Sequence, residues 1–349
     1  MHALENLEGA AGGTLEPDGA AGVLTGGAPV EPVAPRRGAR ILDLVGETPL
    51  LELVTLSQPY RHKDVAILAK AEFLNPSGSV KDRAAKAMLL DGVGRGLLDI
   101  GKAVIDATSG NTGISYAMMG AALGYRVLLY MPANTSPERK RMIRRFGAEV
   151  VETDPLLGSD GAFLAVREAV KASPSRYFYP DQYNNPANAQ AHFDGTGREV
   201  WEQTAGRVTH FVAGMGTSGT FTGTARRLKR ENPAVRTLAV QPSSPFHGIE
   251  GTKHMASTIR PGIMDESLQD GVIEIETELA YEITRRLALQ EGIFAGVSSG
   301  ANVAAAMKAA EDAPPGSVIV TVLCDSGSRY TSDRFWEVGE PEYGFDWKI

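Results

Sequence analysis

Lys81 is the residue whose setting most favours covalent chemistry with a carbonyl compound. It follows four turn-forming residues, Asn75, Pro76, Ser77 and Gly78, and stands at the start of a run of helix formers. The dipole of a helix disfavours a cation in its first turn, which favours the neutral, nucleophilic form of an amine. A lysine placed in this way is a candidate for Schiff-base chemistry, although most lysines are solvated surface residues.

Two loops rich in glycine and hydroxyl groups each join a predicted strand to a predicted helix. The first is TSGNTG at 108–113, and the second is GTSGT at 216–220. Backbone N–H groups in such loops can converge on a phosphate or a carboxylate at a helix N-terminus. Ordinary structure also explains both loops, the first as a helix cap built on Ser109 or Asn111 and the second as a tight glycine turn.

Ser298 and Gln182 are two further polar residues where a ligand is expected. Ser298 lies in VSSGAN at 297–302, where its hydroxyl can hydrogen-bond a heterocyclic nitrogen or cap the helix that follows. Gln182 lies in PDQYNNPAN at 180–188, where the two halves of the chain are expected to meet. Its amide can reach a ligand carboxylate, or the segment only shapes a loop.

Two incomplete motifs and one cysteine point to other chemistry. GMGTSG at 214–219 fits a dinucleotide fingerprint, but the next predicted strand ends without an acid for a ribose hydroxyl. GVSSG at 296–300 fits the nucleophile turn of hydrolases, but no histidine follows His254 in the chain. Cys324 is better explained as a buried residue at a strand end than as a nucleophile.

The composition is that of a globular protein large enough for two domains. The chain has 349 residues, of which 43% are hydrophobic and 22% charged. A net charge of -7 without a basic run argues against nucleic acid as a partner. One cysteine and no paired histidine spacing argue against a metal site, and no apolar run is long enough to span a membrane. Residues 1–38 are predicted to be disordered and lack signal-peptide features, so we expect a cytoplasmic protein.

Predicted strands and helices alternate along the chain, which indicates parallel βαβ units covered on both faces. We expect an α/β fold of two doubly wound domains, with an N-terminal domain at 39–184 that includes a mobile subdomain at about 127–171. A C-terminal domain at 185–336 and a tail at 337–349 follow. The cleft between such halves is a common ligand site. Strands are predicted at 66–73, 103–107, 126–131, 149–152, 210–213, 236–240 and 317–323. Helices are predicted at 79–94, 114–124, 137–146, 161–172, 188–204, 220–230, 277–291 and 299–311.

A series of motifs, in order from about residue 42 to residue 336, resembles the pyridoxal-phosphate-dependent cysteine synthases. Within them the chain is most similar to the B-isozyme type of O-acetylserine sulfhydrylase, in the fold family of the tryptophan synthase β chain. The motifs are GETPLLEL, NPSGSVKDR, TSGNTGISYA, MPANTSPERK, PDQYNNPAN, THFVAGMGTSGTFTGT, EGIFAGVSSGAN and CDSGSRYTSDRFW. The resemblance implies fold type II, with pyridoxal 5'-phosphate in the interdomain cleft.

The resemblance implies a role for each candidate residue. Lys81 would be the Schiff-base lysine and general base, Asn111 the partner of the cofactor's ring hydroxyl, and Ser298 the partner of its pyridine nitrogen. The phosphate would lie in a cup formed by Gly216, Thr217, Ser218, Gly219 and Thr220. The substrate carboxylate would be held by Thr108, Ser109, Thr112 and Gln182.

The implied reaction is a β-replacement that converts O-acetyl-L-serine and a sulfur donor such as sulfide to L-cysteine through an α-aminoacrylate intermediate. No arginine stands near the start of 241–264 to hold a second phosphate, which favours acetylserine over O-phosphoserine unless Lys253 or His254 takes that part. The alternatives are cystathionine β-synthase within the same fold and, from another class, an NAD-dependent dehydrogenase. The resemblance also implies a homodimer, with a sulfur-carrier protein or a serine acetyltransferase as candidate partner.

Overall fold

The computed structural model describes residues 39–108 and 110–337, which form two mainly parallel sheets packed against helices. The strands are β1 (Leu50–Glu52), β2 (Ala66–Ala71), β3 (Ala103–Ala107), β4 (Arg126–Pro132), β5 (Glu149–Thr153), β6 (Tyr177–Phe178), β7 (His210–Gly214), β8 (Arg236–Pro242), β9 (Gly271–Ile275) and β10 (Val318–Leu323). The helices are α1 (Lys81–Gly94), α2 (Asn111–Leu123), α3 (Pro137–Arg145), α4 (Gly158–Ala172), α5 (Pro186–Ala191), α6 (Arg198–Gln203), α7 (Gly219–Glu231), α8 (Thr277–Glu291) and α9 (Val297–Asp312). The α/β fold expected from the sequence is confirmed.

The larger sheet has six strands in the order β1-β2-β10-β7-β8-β9. Only the β1–β2 pair is antiparallel. The central strands β7 and β10 are buried along most of their length, because helices cover both faces of a parallel sheet. One face packs on α8 and α9 through residues such as Leu287, Val303 and Ile319, and the other packs on α7 through Phe221 and Leu228.

The smaller sheet has four parallel strands in the order β5-β4-β3-β6. Every residue of β3, AVIDA, is buried. Its neighbour β4 shares a hydrophobic core with α1, α2 and α3. This core includes Met88, Met119, Leu129 and Ile143. Helix α4 packs on the opposite face through Val166.

The carboxyl ends of the parallel strands position the polar loops found in the sequence. Strands β2, β10 and β7 are adjacent in the larger sheet. The chain leaving β2 leads to Lys81, the chain leaving β10 continues as Cys324 and Asp325, and the chain leaving β7 forms loop 216–220. In the smaller sheet, β3 ends directly before Thr108.

The sequence pattern does not predict β6 or β9, and both are edge strands. They have two and five residues, and β9 is half-buried or exposed along most of its length. An edge strand covered on few sides lacks the continuous apolar run that marks the central strands. Their absence from the prediction therefore has a physical cause.

The helix predicted at 188–204 is present, but its interior is π-helical. Helices α5 and α6 are separated by a π-helical turn at His192–Gly197. A Cβ atom on Gly223 of α7 would lie 2.0 Å from the carbonyl oxygen of Ala189, so α7 packs backbone to backbone against this region. This contact depends on the three-dimensional packing and leaves no periodic signal in the sequence.

Sheet membership does not follow the boundary predicted after residue 184. Strands β1 and β2 precede that boundary but belong to the six-stranded sheet, because β2 pairs in parallel with β10 from Ala66↔Val318 to Ala71↔Leu323. How the chain divides into domains stays a prediction. The disorder predicted for 1–38 and the tail from 338 onward lie outside the described residues. Within the described ranges no helix is long and apolar enough to cross a membrane.

Candidate active site

Lys81 is the first residue of α1 and lines two adjoining cavities between the sheets. The larger cavity also contains Thr108, Thr112 and Gln182, and the smaller one contains Ser298. The start of α1 is tied to the end of β10 by a 2.8 Å hydrogen bond from the N–H of Val80 to the carbonyl of Cys324. Among the described residues, the side-chain amine of Lys81 has no hydrogen-bond or ion-pair partner, which leaves it available to a ligand.

Lys70 shows the contrasting environment of a structural lysine. It is fully buried, and its Nζ lies 2.6 Å from Oε2 of Glu199 and 3.0 Å from Oε1 of Gln203. Burial lowers the pKa of Lys70, and the hydrogen bond to Glu199 opposes that shift. Lys70 lines neither cavity, so the two lysines of this region have separate roles.

A buried ionic network fixes the first turn of α1 behind Lys81. Arg83 Nε lies 2.7 Å from Glu72 Oε2, and Arg83 Nη1 lies 2.6 Å from Glu199 Oε1. Burial alone would raise the pKa of Glu199, but the hydrogen bond and charge of Arg83 lower it to about 2. The network holds the helix that carries Lys81 in one position, and the sequence alone did not indicate it.

Loop 216–220 has the properties of an anion cup. Helix α7 begins at Gly219, so the loop supplies N–H groups that have no partner within the helix. A Cβ atom on Gly216 would lie 2.2 Å from the carbonyl oxygen of Gly251, so this position requires glycine, and one on Gly219 would lie 2.0 Å from Asn188 Oδ1 and would displace that side chain. The hydroxyl of Ser218 is buried and makes no hydrogen bond to the described part of the chain.

Side chains from outside loop 216–220 orient the two threonines of this cup. Asn188 Nδ2 donates to Thr217 Oγ1 over 3.1 Å, and Thr220 Oγ1 lies 3.3 Å from Nε2 of His192. Burial lowers the pKa of His192 to about 3, so this imidazole is neutral. Neutral groups thus orient the threonine hydroxyls without adding charge to the cup.

Thr108 organises the loop that follows β3. Its Oγ1 accepts from the N–H groups of Gly110 and Gly113, over 3.1 and 3.2 Å. Gly110 has a φ of 152°, and a Cβ atom there would lie 2.4 Å from Cδ of Arg139. The loop therefore passes close beneath an arginine of α3. Ser109 lies outside the described residues, so its predicted part in this loop stays a prediction.

Gln182 connects the same loop to the segment at the domain junction. Thr112 Oγ1 donates to Gln182 Oε1 over 2.9 Å, and Gln182 Nε2 donates to the carbonyl of Ala107 over 2.9 Å. The structure thus brings together Thr112 and Gln182, which are far apart in the sequence, at the wall of the larger cavity.

Ser298 is the second residue of α9 and lines the smaller cavity with Lys81. The N-cap of α9 is Gly296, and no side chain caps the helix, so the capping explanation for Ser298 does not hold. Cys324 lines the same cavity, where burial raises the pKa of its thiol to about 11. A thiol with that pKa is a poor nucleophile at neutral pH, as the sequence indicated.

The structure adds residues that sequence reasoning did not assign. Asn111 Nδ2 donates to Asp325 Oδ2 over 2.7 Å, and Arg329 donates to Asn111 Oδ1. Arg139 pairs with Glu250 across the larger cavity. Two of the quoted motifs gave a signal: CDSGSRY contains Asp325 and Arg329, and MPANTSPERK contains Arg139. In the described ranges, no group of three or more His, Cys, Asp or Glu side chains is arranged to hold a metal ion.

Comparison with known proteins gives matches along most of the chain. The family described as "Pyridoxal-phosphate dependent enzyme" matches residues 41–325. A cysteine synthase of Aquifex aeolicus is 56% identical over 301 residues, which cover 85% of this chain and 92% of that protein. Cysteine synthase B of Salmonella typhimurium is 43% identical over 291 residues, covering 82% and 93%. The crystal structure of a cysteine synthase from Entamoeba histolytica superposes with a TM-score of 0.83 at 35% identity, covering 90% and 95%.

Proposed function

The chain belongs to the family of pyridoxal-phosphate-dependent enzymes, and from this premise we propose that it is a cysteine synthase. The proposed reaction is a β-replacement that converts O-acetyl-L-serine and a sulfur donor such as sulfide to L-cysteine. The observation that carries the proposal is the position of Lys81, whose unpartnered amine lies between an anion cup and a loop suited to a carboxylate.

The residues of the cleft fit this cofactor. A Cβ atom on Gly216 or Gly219 would collide with a neighbouring protein atom, so the loop can follow this path only with small residues there, and the buried hydroxyl of Ser218 needs an acceptor or donor that no described residue supplies. A phosphate bound at the start of α7 would satisfy that hydroxyl together with the N–H groups of the loop. When bound, pyridoxal phosphate supplies an electron-withdrawing ring that stabilises negative charge at the substrate α-carbon.

Separate residues are proposed to bind the cofactor, to transfer the proton and to hold the substrate carboxylate. Lys81 would hold the cofactor covalently through its Nζ, and the same Nζ, when free, would act as general base toward the α-proton of the substrate. Asn111 lies beside it and is proposed to meet the ring hydroxyl. The substrate carboxylate is proposed to bind at Thr108, Ser109, Thr112 and Gln182.

Ser298 is proposed to face the pyridine nitrogen with a neutral hydroxyl. A carboxylate in this place would stabilise a protonated ring, whereas a hydroxyl does so weakly. Weaker stabilisation disfavours a long-lived charge at the α-carbon and favours direct loss of the β-substituent. This property suits elimination followed by addition of a sulfur nucleophile.

The choice between acetylserine and phosphoserine depends on cations near the cleft. Of the two candidates, Lys253 lines the larger cavity, with its Nζ 4.6 Å from the ring centroid of Tyr183. Burial lowers the pKa of Lys253. His254 does not line the cavity and instead meets Ser257, with 2.9 Å between Nδ1 and Oγ. We propose acetylserine as the substrate. If phosphoserine reacts as well, Lys253 is the candidate to hold its phosphate and the residue to substitute.

The function is tested by following the colour and product of the protein loaded with pyridoxal phosphate. Addition of O-acetylserine should change the absorbance of the bound cofactor, and addition of sulfide should restore it while cysteine forms. Thiosulfate, homocysteine and a protein thiocarboxylate, tested in place of sulfide, identify the sulfur donor, and homocysteine tests the cystathionine β-synthase alternative. A protein that takes up no pyridoxal phosphate would contradict the proposal.

We also propose that the enzyme is a cytoplasmic homodimer, as the resemblance to cysteine synthases supports. Light scattering coupled to size exclusion tests the dimer, since the chain has a mass of 37.1 kDa. A serine acetyltransferase and a sulfur-carrier protein are the partners to test by co-purification.

A further inference from the structure

The carboxamide of Asn111 lies between two charged neighbours with opposite hydrogen-bonding properties. On one side, Asn111 Nδ2 is 2.7 Å from Oδ2 of Asp325. On the other side, Arg329 Nη1 donates to Asn111 Oδ1. Both neighbours come from the segment that follows β10, about two hundred positions further along the chain.

These two contacts fix which way the amide points. A guanidinium only donates hydrogen bonds, and a carboxylate only accepts them. Rotating the Asn111 amide by half a turn would place its NH₂ against Arg329 and its oxygen against Asp325, which loses both bonds. One hydrogen of Nδ2 remains, and no acceptor among the described residues takes it. Because Asn111 lines both cavities beside Lys81, this second N–H can donate a hydrogen bond to a ligand.

The two neighbours are themselves held in place. Arg329 is buried and its Nη2 donates to the carbonyl of Ser77, in the turn before Lys81. Asp325 is fully buried and accepts a 2.6 Å hydrogen bond from Tyr330. A Cβ atom on Gly296 would lie 2.2 Å from Asp325 Oδ1, so the backbone there is shaped around the carboxylate.

We propose that Arg329 and Asp325 are positioning residues that make Asn111 a hydrogen-bond donor to the ring hydroxyl of the cofactor. The inference rests on the proposed function, in which Asn111 meets that hydroxyl. A donor in this place stabilises the ionised ring oxygen and keeps the shared proton on the nitrogen of Lys81. Without the two neighbours the amide can rotate, and its oxygen then favours the protonated ring hydroxyl.

The test compares the absorbance of bound cofactor in Arg329→Met, Arg329→Lys and the wild-type protein, each loaded with pyridoxal phosphate. The two positions of the proton give separate absorption bands, so their ratio reports the proton directly. We expect Arg329→Met to shift the ratio toward the form with a protonated ring oxygen by about fivefold, the size of one net hydrogen bond. Arg329→Lys keeps a hydrogen-bond donor at this position and should shift the ratio less.

Two further variants separate positioning from loss of structure. Arg285→Lys is the matched control, because Arg285 Nη1 also donates to a carbonyl of the C-terminal segment, that of Phe335 over 2.8 Å, and lines neither cavity. It should leave the ratio unchanged. Asp325→Asn keeps the size of the side chain but can also donate, and should shift the ratio in the same direction as Arg329→Met.

An unchanged ratio in the loaded fraction of both Arg329→Met and Asp325→Asn overturns the inference. A purely structural role predicts that result, with a lower melting temperature and weaker cofactor binding only. A wild-type protein that binds no pyridoxal phosphate would contradict the proposed function itself, so the two failures are distinguishable.

Discussion

Arg139 and Glu250 form an ion pair across the larger cavity, with 2.5 Å between Nη1 and Oε2. Arg139 belongs to α3 beside the smaller sheet, whereas Glu250 lies in the chain that follows β8 of the larger sheet. The Arg139 side chain is 5% exposed and that of Glu250 is 52% exposed. The guanidinium also lies 4.8 Å from the ring centroid of Tyr330. The pair therefore links the two sheets over the loop that begins at Thr108.

Glu250→Gln should weaken substrate binding more than it slows turnover. The ion pair holds Arg139 over the carboxylate loop, so its loss should let the loop open. We expect KM for the amino-acid substrate to rise about five- to tenfold, which corresponds to about 1 kcal/mol. Glu149→Gln is the control, because the Arg126–Glu149 pair is exposed on both sides. Equal steady-state constants in the two variants would contradict a linking role for Glu250.

Lys70→Met should destabilise the fold without removing the cofactor. Loss of one partner of a buried ion pair costs about 3 kcal/mol of unfolding free energy, and Glu199 keeps its contact with Arg83. Lys229→Met, at a more exposed pair with Asp270, should cost less than about 1 kcal/mol. Urea unfolding measures both. A Lys70→Met protein that no longer takes up pyridoxal phosphate would contradict the separate roles assigned to Lys70 and Lys81.

Asp106 should make stability fall as pH rises. Burial raises the pKa of Asp106 to about 8, and its Oδ1 accepts a 2.8 Å hydrogen bond from the N–H of Ala107. The folded protein therefore keeps a proton that the unfolded chain releases above about pH 4. By linkage, this carboxyl contributes stability that is complete below about pH 4 and is lost as pH rises to about 8. The slope is at most about 1.4 kcal/mol per pH unit.

Asp106→Asn isolates this effect, since the amide resembles the protonated acid and does not titrate. Other titrating groups, including His192, are present in both proteins and cancel in the comparison. The stability of Asp106→Asn relative to wild type should increase between pH 5 and pH 8, as measured by chemical unfolding at several pH values. A constant difference over that interval would mean that Asp106 is ionised in the folded protein at neutral pH.

Gly216→Ala should weaken binding of the cofactor phosphate. The new Cβ atom would lie 2.2 Å from the carbonyl oxygen of Gly251, so the loop backbone must move. We expect the dissociation constant for pyridoxal phosphate to rise at least about tenfold, or 1.4 kcal/mol. Gly94→Ala is the control, because a Cβ atom at the end of α1 meets nothing within 4 Å. Wild-type affinity in Gly216→Ala, measured by titration, would exclude loop 216–220 as the phosphate cup.

The sequence predicts the parts of this protein that depend on local pattern. The buried central strands, such as 103–107, appear as apolar runs, and the loops at 108–113 and 216–220 appear as glycine and hydroxyl clusters at strand ends. Lys81 was found because turn formers precede it and helix formers follow it. Each of these signals lies within a few residues of the feature that it predicts.

The remaining features depend on contacts between distant segments. Edge strand Gly271–Ile275 has too little buried surface to give a pattern. The contacts of Asn111 with Asp325 and Arg329 join positions more than two hundred residues apart, and the pairing of Arg139 with Glu250 joins two sheets. A charged residue in a sequence gives no sign of its partner, so these contacts appear only in the folded structure.

Reductive trapping of the bound cofactor identifies the lysine that forms the Schiff base. The protein loaded with pyridoxal phosphate is reduced with sodium borohydride, digested and analysed by mass spectrometry to find the residue that carries the added mass. We expect modification of Lys81 alone, with Lys70 and Lys253 unmodified. Cofactor mass on another lysine, or on none, would contradict the assignment of Lys81 as the residue around which the site is built.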